Sequence, residues 1–127
     1  MDYIATPGAP KPAGHYSQGV RHAGLVHVAG QLPLDPATGE LVGAGDIVAQ
    51  TERTLRNVEA ILQAAGSALE RTLSVTVYVT DRALWPKVNE TYARIFGAHK
   101  PARAVIPVKE LKPGCLIEIQ AVGATEP

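Results

Sequence analysis

The chain has 127 residues, and twelve Lys and Arg against twelve Asp and Glu leave it without net charge; that length predicts one domain over residues 1–127, and that balance excludes a dedicated phosphate-collecting nucleic-acid binder. A hydrophobic fraction of 46% beside 19% charged residues excludes a disordered chain. One cysteine, Cys115, excludes an internal disulfide, and without a signal-like N-terminus or an apolar run near the ~20 residues of a membrane span the chain is expected to be soluble and cytoplasmic.

Residues 6–14, Thr-Pro-Gly-Ala-Pro-Lys-Pro-Ala-Gly, offer few amide donors and are expected to run extended over the surface. From Gln18 to Leu32 two short β-type runs flank His22-Ala23-Gly24, a hairpin signal. Asp35-Pro36-Ala37-Thr38-Gly39 reads as a turn. A helix follows: Asp46 can cap it, Ile47, Thr51, Leu55, Val58, Leu62 and Ala65 recur three or four residues apart, and Gly66 stops it. Thr72 to Thr80 is a strand that sends Leu73, Val75, Val77 and Val79 to one face. Its other face is polar, uncharged and β-branched, which suits a surface covered by a partner subunit.

A second helix starts near Trp85-Pro86, carries Trp85, Val88, Tyr92 and Ile95 or Phe96 as its apolar stripe, and ends at Gly97. Two strands, about Arg103–Val108 and Leu116–Val122, joined by Lys112-Pro113-Gly114, close the chain. The order β–β–α–β–α–β–β, with a hairpin at each end, predicts an α+β fold: one mixed sheet with both helices on one face.

The common chemical signatures are missing: no GxGxxG, GxxxxGK[ST], CxxC or HExxH occurs, and His15, His22, His27 and His99 lack ligand spacing. No metal site is expected. Two charged residues stand out. Arg103 opens a strand otherwise made of Ala104, Val105 and Ile106, and its planar fork can grip a carboxylate through two parallel hydrogen bonds. Glu118 lies between Ile117 and Ile119, where an ionised carboxylate needs a partner or a wet cleft. Arg103 and Glu118 form either an ion pair across neighbouring strands or a pocket in which one holds an anionic substrate and the other handles protons.

Several segments together resemble the RidA (YjgF) family of reactive enamine/imine deaminases over essentially the full length. They include Gly14-His15-Tyr16-Ser17-Gln18, Ala29-Gly30-Gln31-Leu32-Pro33, Val88-Asn89-Glu90-Thr91-Tyr92, Pro101-Ala102-Arg103 and Ile117-Glu118-Ile119-Gln120-Ala121. The resemblance implies a chorismate-mutase-like mixed sheet and a homotrimer with pockets between subunits. It implies hydrolysis of 2-aminoacrylate and related enamines or imines to 2-keto acids and ammonia, with no cofactor. By position, Arg103 takes the role of the carboxylate-binding arginine and Glu118 that of the glutamate that positions water. Tyr16, Gly30, Asn89 and the main chain of Val105 fall on substrate-binding positions. Two departures occur: Val105 stands where a cysteine is common, and Ala29 where serine is frequent. Both make the site more apolar and bear on which substrate is preferred. The other readings are a trimer that binds 2-keto or amino acids without turnover, a deaminase of a larger acid such as 2-aminomuconate, and a ribonuclease, which the neutral charge disfavours.

Overall fold

A computed structural model describes residues 1–126. Strand β1 (Asp2–Ile4) precedes the hairpin of β2 (Gly19–His22) and β3 (Leu25–Gln31). Helix α1 (Ile47–Ala64), β4 (Thr72–Val79), α2 (Trp85–Phe96), β5 (Ala102–Pro107) and β6 (Ile117–Ala124) follow. The six strands form one mixed sheet in the order β1-β2-β3-β6-β4-β5, and the two helices lie against each other on one side of it.

Local chemistry accounts for most boundaries. Ala23 and Gly24 both take positive φ, 50° and 79°, the backbone a two-residue hairpin turn needs to match strand twist. Asp46 caps α1, its side chain accepting the Ala49 N–H at 3.1 Å. Past Ala65, Gly66 turns left-handed at φ 85° and ends the helix. The stripe Ile47, Thr51, Leu55, Val58, Leu62 and Ala65 is buried throughout, packed on Val26, Val28, Val75, Val77, Ile117 and Ile119 of the sheet.

Three expectations need correction. The first strand, β1, was not anticipated; it pairs antiparallel with β2, Tyr3 opposite Val20, and three residues are too few to show periodicity. The C-terminal strands do not form a hairpin. Strand β6 runs between β3 and β4, antiparallel to both, whereas β5 lies parallel to β4 at the sheet edge. Ile117, Ile119 and Ala121 need cover from both flanks, while Pro107 donates no ladder hydrogen bond and suits an edge; β4, α2 and β5 form a parallel crossover unit. Leu73 points outward, 49% exposed, because Thr72 and Ser74 face consecutive β6 residues, Gly123 and Val122. Leu73 is the extra residue of a bulge. Helix α2 begins at Trp85 as expected, and a 3-10 turn, Arg82–Leu84, leads into it.

Three buried amides tie the loops to this frame. Gln18 Nε2 donates to the carbonyls of Thr6, Ala9 and Pro10 and so pins the proline-rich segment. Asn57 Nδ2 donates to the carbonyls of Leu32 and Leu34. Gln50 bridges two loops: Nε2 donates to the Gly43 and Gly114 carbonyls, and Oε1 accepts the Leu116 N–H at 2.8 Å. Gln50→Met keeps the bulk but orphans all three groups. We expect it to cost about 2–4 kcal/mol, since each buried polar group left unpaired costs ~1–3 kcal/mol. A lowered urea midpoint with an unchanged slope is the measurement that checks this.

Candidate active site

Helix α2 and strand β5 hold Arg103. Positions 85, 89 and 92 lie on one helical face, four and three residues apart, and that face looks at β5. Asn89 Oδ1 accepts a hydrogen bond from Arg103 Nη1 at 3.0 Å. The guanidinium carbon lies 4.5 Å from the Trp85 ring centroid and 4.8 Å from that of Tyr92, within range of cation–π attraction to both. The buried Tyr92 hydroxyl has no hydrogen-bond partner; burial raises its pKa while the Arg103 charge pulls it down. Arg103 is thus braced by an amide and two rings, yet none of the ion pairs among the described residues includes it. Its remaining donors are open to a ligand.

Two cavities adjoin this guanidinium. One, of about 710 Å³, also meets Trp85, Pro86, Val105 and Pro107. The other, of about 350 Å³, runs between Asn89, Tyr92, Phe96 and Lys100.

Glu118 lies elsewhere. Register decides this: Val75 is paired with Arg103 and Val77 with Val105, and these valines are buried under the helices. Glu118 is paired with Tyr78, the alternate phase of β4. Paired residues share a face and neighbours along a strand do not. Arg103 and Val105 therefore face the helical side and Glu118 faces the open side. No ion pair joins Arg103 to Glu118 among the described residues, so that alternative falls.

Around Glu118 a second group assembles. Gly30 sits at the β3 irregularity between Val28 and Gln31, directly against the Glu118 carboxylate. Gly30 and Tyr16 line a small cavity of about 80 Å³ with Lys11 and Lys112. Tyr16 is 53% exposed, and its hydroxyl accepts the Ala13 N–H at 3.3 Å. Burial raises the Glu118 pKa above the ordinary carboxylate value. The six sequence-selected residues thus fall into two groups, Arg103, Asn89 and Val105 on one side and Glu118, Gly30 and Tyr16 on the other. Periodicity alone marks Trp85 and Tyr92 as an apolar stripe; their spacing from Asn89 is the signal in the sequence that sets them beside it.

Gly30 is testable directly. A Cβ there would overlap Glu118 Oε2 and lie 3.0 Å from Cδ. Gly30→Ala is expected to displace the carboxylate and destabilise the fold by about 1–3 kcal/mol, the usual range for overpacking. A lowered melting temperature is the measurement that checks this.

Among the described residues, no three His, Cys, Asp or Glu side chains converge as a metal site requires, and no helix is long and apolar enough to cross a membrane.

The chain matches the family model described as endoribonuclease L-PSP over residues 6–125. It is 46% identical over 125 residues to a RutC family protein of Pyrococcus horikoshii, covering 98% of each chain. It superposes on the crystal structure of the YjgF gene product from E. coli with a TM-score of 0.93 at 36% identity, covering 99% of this chain and 100% of that one. It superposes equally, TM-score 0.93 at 33% identity with the same coverage, on E. coli TdcF, solved with bound serine.

Proposed function

The chain belongs to the YjgF/RidA family, and from that premise we propose that it hydrolyses 2-aminoacrylate-type enamines and imines to 2-keto acids and ammonia. One observation carries the reading. Arg103 is an arginine oriented by Asn89, Trp85 and Tyr92 with no carboxylate of its own. A free fork so braced is complementary to a carboxylate supplied by a substrate. The serine bound to TdcF is consistent with a small amino-acid-like ligand.

The chemistry asks for orientation and proton transfer. Tautomerisation of the enamine to its imine adds a proton at C3 and removes one from nitrogen. Water then adds to C2, the C2–O bond forming as the C2–N double bond becomes single; the C2–N bond of this carbinolamine breaks as C2=O forms, and both water protons leave on nitrogen as ammonia. Arg103 holds the carboxylate and so fixes C2, a positioning effect that reaches ~7–11 kcal/mol in well-oriented systems. Glu118 takes the proton of the attacking water and returns it to nitrogen. The Val105 amide and the Gly30 main chain border the substrate, and Tyr16 packs over it.

Arg103 and Glu118 face opposite sides of one sheet, so a small substrate can meet both only where two copies join. The free β5 edge and the open face of Thr76, Tyr78 and Gln120 beside Glu118 support a homotrimer with pockets between subunits. The endoribonuclease description of the family would call for a cationic track along a phosphate backbone, which a chain of zero net charge does not favour.

The test is a coupled assay in which a dehydratase releases 2-aminoacrylate from serine and loss of imine is followed. Acceleration by the purified protein is expected. Tight binding of pyruvate or 2-oxobutyrate with no acceleration would replace the enzyme by a ligand-binding trimer.

A further inference from the structure

The cavity of about 710 Å³ at Arg103 contains a second cation. Arg82, on the 3-10 turn before α2, lines it together with Trp85, Pro86, Val105 and Pro107. Arg82 is exposed and takes no part in the ion pairs among the described residues. The one carboxylate at this cavity, Asp81, accepts the Ala83 N–H through a single oxygen at 2.8 Å. The wall is therefore apolar surface that sets two guanidinium groups, one braced on α2 and one outside the ion pairs, against one carboxylate.

The Glu118 side repeats the bias. Lys11 and Lys112 line the cavity of Tyr16 and Gly30. Across these two cavities and Glu118, four cations (Arg82, Arg103, Lys11 and Lys112) face two carboxylates (Asp81 and Glu118). The chain as a whole is neutral, so the positive excess is concentrated where the substrate would lie and attracts anions there. A three-carbon acid needs one arginine and little room. A second arginine on the same wall as the first fits a longer and more highly charged acid.

We propose that the preferred substrate is the imine or enamine of a dicarboxylic amino acid, with its 2-carboxylate on Arg103 and its distal carboxylate on Arg82. This rests on the deaminase reading for the reaction and adds a specificity residue. Bond making and breaking at C2 are unchanged, since the distal carboxylate takes no part in them.

Two imines that differ in the distal group make the test: 2-iminoglutarate and 2-iminobutanoate, each generated by an amino-acid oxidase. The wild type should favour 2-iminoglutarate in kcat/KM. Arg82→Gln should lower kcat/KM for it about tenfold, in keeping with loss of one charge-assisted contact, and leave 2-iminobutanoate within twofold. Arg82→Lys should recover part of the loss. Calorimetry runs in parallel, with 2-oxoglutarate expected to bind more weakly to Arg82→Gln and 2-oxobutyrate unchanged. An unchanged preference in Arg82→Gln, with the wild type active on 2-iminobutanoate, overturns the dicarboxylate proposal and leaves the deaminase reading intact. Arg82-dependent binding of 2-oxoglutarate with no turnover of either imine overturns the deaminase reading and upholds the recognition. Failure of both sinks both.

Discussion

Arg103→Ala should lower kcat/KM for 2-aminoacrylate about a hundredfold or more and leave the fold intact. The side chain stands exposed on an edge strand, so its removal opens no core cavity. The stability lost is that of two exposed cation–π contacts and one exposed hydrogen bond, about 1–2 kcal/mol in all. The transition state loses more: a bidentate charge-assisted grip on the carboxylate and the fixed placement of C2 that follows from it. Arg103→Lys separates these contributions. It keeps the charge but loses the planar fork, the hydrogen bond to Asn89 Oδ1 and the stacking on Trp85 and Tyr92, so about tenfold of the loss should remain. The coupled assay beside a thermal melt checks both variants. Equal acceleration by wild type and Arg103→Ala would remove Arg103 from the mechanism.

What could be read from the sequence divides by range. Features set within a few residues were legible: the α1 stripe, the Asp46 cap, the Ala23-Gly24 turn and the alternation of Val75, Val77 and Val79 all follow from local period and backbone preference. The position of β6 was not. Lys112-Pro113-Gly114 is good turn chemistry, and a turn between two strands reads as a hairpin. That β6 instead crosses to lie between β3 and β4 depends on which strand most needs apolar cover, a comparison across the whole sheet. Leu73 failed for the related reason that one extra residue opposite Gly123 and Val122 reverses a strand's phase, and nothing within Thr72–Thr80 marks it.

The candidate site shows the same division. Arg103 and Glu118 were singled out because a charge among apolar strand residues needs an explanation wherever it falls. Whether they meet is a question of phase between β5 and β6, which are not neighbours and are related only through β4. Tyr78 against Glu118 and Val75 against Arg103 place them on opposite faces. This turns a two-residue pocket within one chain into a question about two chains. Trp85 and Tyr92 were hidden for another reason: an aromatic on an apolar stripe looks like core until the strand beside it is known to carry an arginine.

Glu118→Gln should cut turnover about a hundredfold, within the ~10²–10⁴-fold range for a positioned general base, and should also change the pH profile. Burial raises the Glu118 pKa, and the ionised form is the one that accepts a proton from water. As pH falls through that raised value activity should fall, on a limb displaced upward from the ~4.3 of a free glutamate; the amide variant should lack the limb. Stability runs the opposite way. A carboxyl whose folded pKa exceeds its unfolded value stabilises fully below the unfolded pKa, and that contribution is lost as pH rises through the folded pKa. Removing the charge at neutral pH should therefore leave the melting point unchanged or higher, so a loss of activity cannot be ascribed to unfolding. The opposite-face placement then makes a sharper demand. Arg103→Ala and Glu118→Gln, each inactive alone, should regain activity when unfolded together and refolded as a mixture. If each site takes its arginine from one copy and its glutamate from the next, random assembly makes about a quarter of the sites wild type in a closed cyclic oligomer. No recovery from a mixture shown to contain both chains in one oligomer would return the site to a single subunit, where the sheet stands between the two groups.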